Sequence, residues 1–413
     1  MEAQTLSSDT VKIKKTTPVE EKSGLSMSVE LTFDGAQKLL HSWELLDLSA
    51  TPRVATAKAN FFLPFISEMP EKQTPYVALW KKDGAPDGIL IGRLSIRSPL
   101  IKIAKWRIPM LRLRTLNITE GGLEALSAET ALQQKKYLQA LLSSGDIDCI
   151  SIFRLNPDGE AGRALEGGLG KSSNVRPLKL ARWFTELIDD HGNPVVTNSA
   201  KTRSGFRQKD RKLVKAFGDS VEVREVSDPG DVEDFLGEAV KIVAASYQKS
   251  IGVGVQDDEA WKTTSRIHAE NGSFRGYLLV ANGESIAYGV GPLVDGTFTL
   301  LATSFLPKYR KLAPGTYLLR RIIERLQDEG VRWIDYGIGD YSYKELYGTM
   351  RREDALMDFY ASSPRARIAR VVHILANSAT SFLQTSGLLE RLKKIRRTLI
   401  DRRRKTKSDS GRK

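Results

Sequence analysis

Two dipeptides, Asn282-Gly283 and Asp295-Gly296, separate three apolar-rich runs: FRGYLLVA, ESIAYGVGPLV and TFTLLATSF. Asn-Gly and Asp-Gly accept positive φ at the central positions of a tight turn, so this stretch predicts a three-stranded antiparallel meander. The residues that follow narrow the fold further. LPKYRKLAPG is a basic segment ending in small residues. TYLLRRIIERLQDEG then carries Leu318, Leu319, Ile322, Ile323 and Leu326 on one helical face, and Gly330 stops it. The strand VRWIDYG comes next. Upstream, Val232, Phe235, Leu236, Ala239, Val240, Val243, Ala244 and Tyr247 mark an amphipathic helix.

The order of meander, helix and strand recurs earlier in the chain. YVALWKKDG turns at Asp83-Gly84 into GILIGRLSI, and LRLRTLNIT precedes the helical SAETALQQKKYLQALLSSG and the strand IDCISIF. A chain of 413 residues is too long for one comfortable core. The expected fold class is therefore α/β (α+β), two similar units in tandem, each a mixed, mostly antiparallel sheet flanked by helices. The expected boundaries are 28–200 and 201–362, with a disordered segment 1–27 before them and a C-terminal helix and basic tail, 363–413, after them.

Of the net charge of +13, twelve Lys/Arg against Asp401 and Asp409 place +10 between Arg391 and Lys413. Such a tail meets a membrane surface, nucleic acid or an acidic protein, or is a solvated terminus. Before it, Ile368, Val371, Val372 and Leu375, and later Leu388, Leu389 and Leu392, read as a docking helix among arginines. The single Cys149, in DCISIF, excludes an internal disulfide framework and reads as a small core residue in a reducing compartment. No apolar signal segment and no run of about 18 apolar residues is present, so the expected location is cytoplasmic, with a peripheral contact at the inner face of the membrane left open. His41, His191, His268 and His373 lack Cys or carboxylate partners at ligand spacing, so no metal site is expected. There is no Walker loop, GxSxG elbow or dinucleotide fingerprint.

Two places carry chemistry. In YRKLAPGTYLL the helix starts near Gly315, where backbone N–H groups are free and the helix dipole is positive. Ala313 and Gly315 let a pyrophosphate approach the backbone, and Arg310 and Lys311 add charge. In SAKTRSGFRQKDRKLVKAF, Arg207 and Arg211 belong to a basic run that is either a solvated helix face or a site for an acidic ligand.

A strand, a loop of form Arg-x-x-Gly-x-Gly/Ala, a helix and a further strand resembles the coenzyme A-binding core of the GNAT N-acyltransferases. Here the loop reads Arg310-Lys311-Leu312-Ala313-Pro314-Gly315, with Ala313 at the first glycine. Together with SGFRQKDRKL and WIDYGIGDYSYKELYGT it resembles the CelD-like acetyltransferase group, which is close to the FemABX fold. The resemblance implies tandem GNAT-like domains and acetyl-CoA or another acyl-CoA as co-substrate. Thr303, Ser304, Arg310, Lys311, Ala313, Gly315 and Thr316 would contact that co-substrate, in a splay between the last strand of the meander and WIDYGIG. Gly337 and Gly339 would permit the splay and, with Arg207 and Arg211, contact substrate. Asp335 and Asp340 are candidates for the base or for orienting the amine, and Tyr343 or Tyr347 for the acid. A backbone N–H near Ala302 to Ser304 would polarise the thioester. Lys344 completes the Asp…Tyr-Lys motif and reads more readily as an ion-pair partner than as a reacting group. The plainer reading makes Asp335 the cap of a buried network and Tyr336, Tyr341 and Tyr347 packing residues.

In the first half, EGGLEALSAET puts acids where the second half has Arg310 and Lys311. That half is expected to bind no coenzyme and to shape the acceptor cleft. The implied activity is acyl transfer to an amine of a sugar, lipid or amino-acid derivative, in exopolysaccharide or cell-envelope metabolism. The rivals are a FemABX-like aminoacyl transferase, whose charged tRNA the basic tail and the 201–215 patch would hold, and a silent scaffold that meets a membrane or partner through its tail.

Overall fold

The computed structural model describes residues 24–46, 54–68, 73–99, 101–103, 106–170, 174–175, 177–195, 199–246, 248–249 and 252–385. The expected disordered segment lies outside these as far as residue 23. Tyr247, Leu388, Leu389, Leu392 and the basic tail also lie outside them.

The first half runs β1 (Leu25–Glu30), α1 (Phe33–Lys38), α2 (Leu40–Leu45), α3 (Ala59–Glu68), β2 (Thr74–Lys82), β3 (Ala85–Arg97), the small hairpin β4 (Ile101–Ile103) and β5 (Trp106–Ile108), β6 (Leu113–Ala125), α4 (Ala128–Ser143), β7 (Cys149–Leu155), α5 (Glu160–Leu165) and β8 (Leu178–Glu186). The second runs α6 (Ala200–Phe217), β9 (Val221–Val226), α7 (Val232–Ala245), α8 (Glu259–Glu270), β10 (Phe274–Ala281), β11 (Glu284–Val294), β12 (Thr297–Thr299), β13 (Ala302–Phe305), α9 (Pro314–Asp328), β14 (Trp333–Ile338), α10 (Ser342–Tyr347), β15 (Met350–Tyr360) and α11 (Pro364–Thr385). No described helix is long and apolar enough to cross a membrane.

The hairpin turns form as their residues dictate. Asp83-Gly84, Asn282-Gly283 and Asp295-Gly296 all take positive φ at both positions. β2–β3–β6 and β10–β11–β12 are antiparallel meanders. In each half a helix then crosses over, and the next strand pairs parallel with the end of the meander: β7 with β6, and β14 with β12. Alternate side chains of β2 serve two layers: Tyr76, Ala78 and Trp80 pack with Tyr137, Leu138 and Leu141 of α4, while Val77 and Leu79 pack with Ala36, Phe62 and Leu63 of α1 and α3. Cys149 is buried in the first of these cores. β6 does not end at Thr119. It bends at Gly121 and continues through EGGLEA along β3 to Ala125.

The described strands join into one sheet in the order β1-β2-β3-β6-β7-β15-β8-β14-β12-β11-β10-β9, with β13 attached to β11. The centre of that order is interleaved. β8, the last strand of the first half, pairs with β14 of the second, and β15, the last strand of the second, pairs with β7 of the first. β15 and the start of α11 accordingly belong to the core of the first half, through Met357, Phe359, Tyr360, Ala366 and Ala369.

On α11 the apolar pattern faces the other way from a packed helix. Ala366, Ala369 and Ala376 are buried, whereas Ile368, Val371, Leu375 and Phe382 are exposed.

Candidate active site

β12 and β14 run side by side only from Thr297↔Trp333 to Thr299↔Asp335, and the last bond between the two segments is Leu300 N–H to Asp335 O at 2.8 Å. Beyond it they part. β13 stays on β11, with Ala302 to Phe305 opposite Val290 to Ala287, and its other edge has no strand partner among the described residues. β14 stays on β8 through Ile338↔Arg182 and Gly339 N–H to Ala181 O. Gly337 at φ 71° and Gly339 at φ 102° make this departure, in a region of backbone space that favours glycine.

The splay opens into a cleft of about 350 Å³ that contains Thr303, Ser304, Arg310, Gly315, Thr316, Tyr343 and Tyr347, seven of the residues singled out in the sequence. At its mouth α9 begins without a side-chain cap: Ala313, at φ 53° and ψ 48°, occupies the N-cap position, and Pro314 has no N–H to satisfy. Gly315 lies so close to β13 that a Cβ there would meet the Phe305 ring at 3.2 Å. The left-handed conformation of Ala313 explains why a glycine suits that position of the loop. Arg310 lines the cleft, whereas Lys311 and Ala313 are not on its wall.

On the far wall, Tyr347 is buried. Its ring stacks on Phe206 of α6 at 5.4 Å between centroids, and its hydroxyl donates to Thr316 O at 3.4 Å. Burial raises its pKa, so the phenol keeps its proton at neutral pH. Gln248, which no sequence signal marked, also lines the cleft. Its Nε2 donates to Thr303 O at 2.9 Å, and its buried Oε1 has no hydrogen-bond partner among the described residues.

Neither acid lines this cleft. Asp335 is fully buried, accepts from Arg182 Nε at 3.0 Å and from Gly337 N–H at 2.8 Å, and so fixes the turn at the splay. Asp340 is at the surface, where it accepts from Trp183 Nε1 at 2.9 Å and pairs with Arg351; the Trp183 hydrogen bond, then Arg351, hold its pKa below the ordinary carboxylate value. Lys344 is buried, donates to Ile338 O at 2.5 Å, and is pulled down to about 8 by desolvation. It is set back from the cleft wall, between Gly337 and the rings of Tyr341 and Tyr343. Arg207 and Arg211 are exposed on α6, which packs on the core through Phe206 and Leu213, while its Asp210 pairs with Arg320 of α9. Neither arginine is among the residues that line the cleft.

The family model described as an acetyltransferase (GNAT) domain matches residues 200–345. A conserved protein of unknown function from Bacteroides thetaiotaomicron VPI-5482 shares the fold, at a TM-score of 0.50 and 10% identity, over 80% of this chain and 98% of that one. FemX superposes at a TM-score of 0.47 and 13% identity, over 74% of this chain and 96% of its own. A tandem GNAT protein from the clavulanic acid biosynthesis pathway does so at 0.44 and 11%, over 82% and 99%. No curated protein matches the sequence. Within the matched stretch, the splay, the uncapped helix and Tyr343 of the cleft, with Tyr347 just beyond it, are the features with chemical capacity.

Proposed function

We propose that this chain is an N-acyltransferase of the CelD-like group, moving an acyl group, acetyl in the first instance, from acyl-CoA to an amine of a sugar, lipid or amino-acid derivative in exopolysaccharide or cell-envelope metabolism. The observation that carries the reading is the unpaired edge of β13 leading to the uncapped N-terminus of α9. A thioester lying along β13 satisfies that edge as a missing strand would, and a pyrophosphate at Gly315 meets the positive end of the helix and Arg310. Along β13, amides alternate in direction: Leu306 N–H points to Ile286 O of β11, whereas Thr303 O faces the cleft and accepts from Gln248, so the amides of Thr303 and Phe305 turn into the splay. There they stabilise negative charge on the thioester oxygen as the amine nitrogen bonds to the carbonyl carbon. The carbon–sulfur bond then breaks, Tyr347, protonated at neutral pH, gives its proton to the leaving thiolate, and the proton shed by the acylated nitrogen passes through solvent in the open cleft and restores the phenol. Gln248 Oε1 accepts an N–H of the entering amine and orients its lone pair. Asp335 acts through backbone placement.

A peripheral contact with an anionic membrane fits the same reading. Ile368, Val371, Leu375 and Phe382 are exposed on α11, and the chain after it carries the +10 tail.

Calorimetric titration of acetyl-CoA and free coenzyme A, with Gly315→Glu as control, tests the central claim. Micromolar binding that the control abolishes supports it. Absence of binding by either ligand overturns it and leaves transfer from charged tRNA, or a silent scaffold, to be separated by salt-dependent tRNA binding.

A further inference from the structure

The first half of the chain has a splay of its own. β6 and β7 pair only from Thr115↔Cys149 to Ile118↔Ile152. β6 then leaves with β3, and β7 with β15, repeating at this end of the sheet the parting of β13 from β14. A cavity of about 120 Å³ lies between them, beneath Trp43, Val54 and Ala57. Coenzyme is not its occupant. At the start of α4 the place a pyrophosphate would take is filled by the Asp87 carboxylate, which accepts from Ser127 Oγ and Thr130 Oγ1.

Two features of this cavity are unspent. Arg154 holds a left-handed backbone, φ 55°, rare for an arginine, and its buried Nε has no hydrogen-bond partner among the described residues, while Nη1 donates to Glu120 at 2.6 Å. The Glu124 carboxylate has no hydrogen-bond or ion-pair partner among the described residues, and burial, opposed by the more distant charge of Arg352, pushes its pKa to about 7. The rest of the charge is balanced. Arg182 serves Glu120, Asp335 and Asp354, Arg352 serves Asp354, and Arg154 serves Glu120, which sets three guanidiniums against three carboxylates. Glu124 is the surplus acceptor and Arg154 Nε the surplus donor. Beside them Phe153 is 42% exposed, with the Arg154 guanidinium 4.6 Å from its ring centroid.

We propose that this cavity holds the non-reacting end of the acceptor, and that this end is a hydroxyl-bearing ring of the hexose or hexosamine class. An O–H or N–H of the ring donates to Glu124, a ring or hydroxyl oxygen accepts from Arg154 Nε, and the apolar face of the ring lies on Phe153. The acceptor role, though not the ligand class, rests on the acyltransferase reading. Three to four strand spacings of about 4.8 Å separate the two splays, so the acceptor is extended by roughly 15–20 Å between the ring and the reacting amine. Arg182 bridges that gap, lining this cavity while bonded to Asp335 beside the other splay.

The test is titration of D-glucosamine and D-glucose, followed by ligand-observed NMR, into the full chain and into Glu124→Gln, Arg154→Gln, Phe153→Ala and Gly315→Glu. Glu124 has no partner to lose and Phe153 is half exposed, so these two variants fold even if Arg154→Gln does not. The expected result is saturable binding of at least one sugar, about tenfold weaker in Glu124→Gln and Arg154→Gln. Phe153→Ala should weaken it about threefold, and Gly315→Glu should leave it unchanged. Binding that is absent, or equal in all variants, overturns the inference whatever coenzyme A does. Sugar binding that obeys this pattern in a protein that fails to bind coenzyme A upholds the ligand class and removes the acceptor role.

Discussion

Arg182 of β8 and Asp335 of β14 meet in full burial where the two halves of the sheet join, Nε donating to Oδ2 at 3.0 Å. Breaking such a pair leaves a charge buried without its counter-ion, so Arg182→Ala is expected to cost about 3–5 kcal/mol. Asp335→Asn, which keeps one acceptor oxygen, should cost less. Urea unfolding measures both. If Asp335 positions the splay and does not react, any activity lost in Asp335→Asn should track the loss of folded protein and of coenzyme binding.

Ala313 sits at φ 53°, where a Cβ is disfavoured. Ala313→Gly is expected to stabilise the fold by about 0.5–1 kcal/mol and to raise Tm by about 1–2 °C, with coenzyme A binding retained. Thermal unfolding with and without coenzyme A reads both effects.

His268 and Glu124 give opposite pH dependences. His268, stacked on Phe61 of α3, is pulled from 6.5 to about 4 by burial. Its contribution is full above pH 6.5 and is lost as pH falls towards 4, where the unfolded chain takes up a proton first. Glu124 is pushed from 4.5 to about 7, so its contribution is full below pH 4.5 and is lost as pH rises through 7. Between these limits the two slopes oppose each other. Against the wild type, His268→Asn should tilt stability towards low pH and Glu124→Gln towards high pH, each by about 2–3 kcal/mol across the window. Chemical denaturation from pH 4 to 8 checks the sign.

If the cleft works as proposed, Tyr347→Phe preserves the stack on Phe206 and removes only the proton donor. It should lower kcat by about a hundredfold and leave the KM for acyl-CoA near its original value. Gln248→Leu should instead raise the acceptor KM, by about tenfold. Release of free thiol gives both constants.

Membrane contact through α11 predicts co-sedimentation with vesicles containing phosphatidylglycerol, but not with phosphatidylcholine alone. Placing a charge on the exposed apolar stripe, Leu375→Asp, should weaken it about tenfold.

Local chemistry made part of this protein readable from its residues. The turns at Asn282-Gly283 and Asp295-Gly296, the stripe of α9 and the loop at Gly315 each carry their signal within a few positions, and the structure brings the loop and Tyr343 and Tyr347 to one cleft. β8 and β15 carried no such signal. Arg182 in LKLARWFTE looks like a residue facing solvent, because its partners Asp335 and Asp354 are more than 150 positions away. Asp335 looked reactive for the same reason: an acid beside two glycines is indistinguishable from a structural one until its arginine is known. Gln248 is a neutral amide in an unpatterned stretch, and only the cleft gives it meaning.

The crossing of β8 and β15 also governs how the molecule comes apart. A piece cut at residue 200 would take β8 away from β14 and β15 and strip β15 from β7, breaking three ladders and exposing their unpaired amides. Neither half therefore has a boundary along which it can melt alone. The described chain should lose its sheet in one calorimetric transition, and proteolysis of partly unfolded molecules should yield no long-lived half.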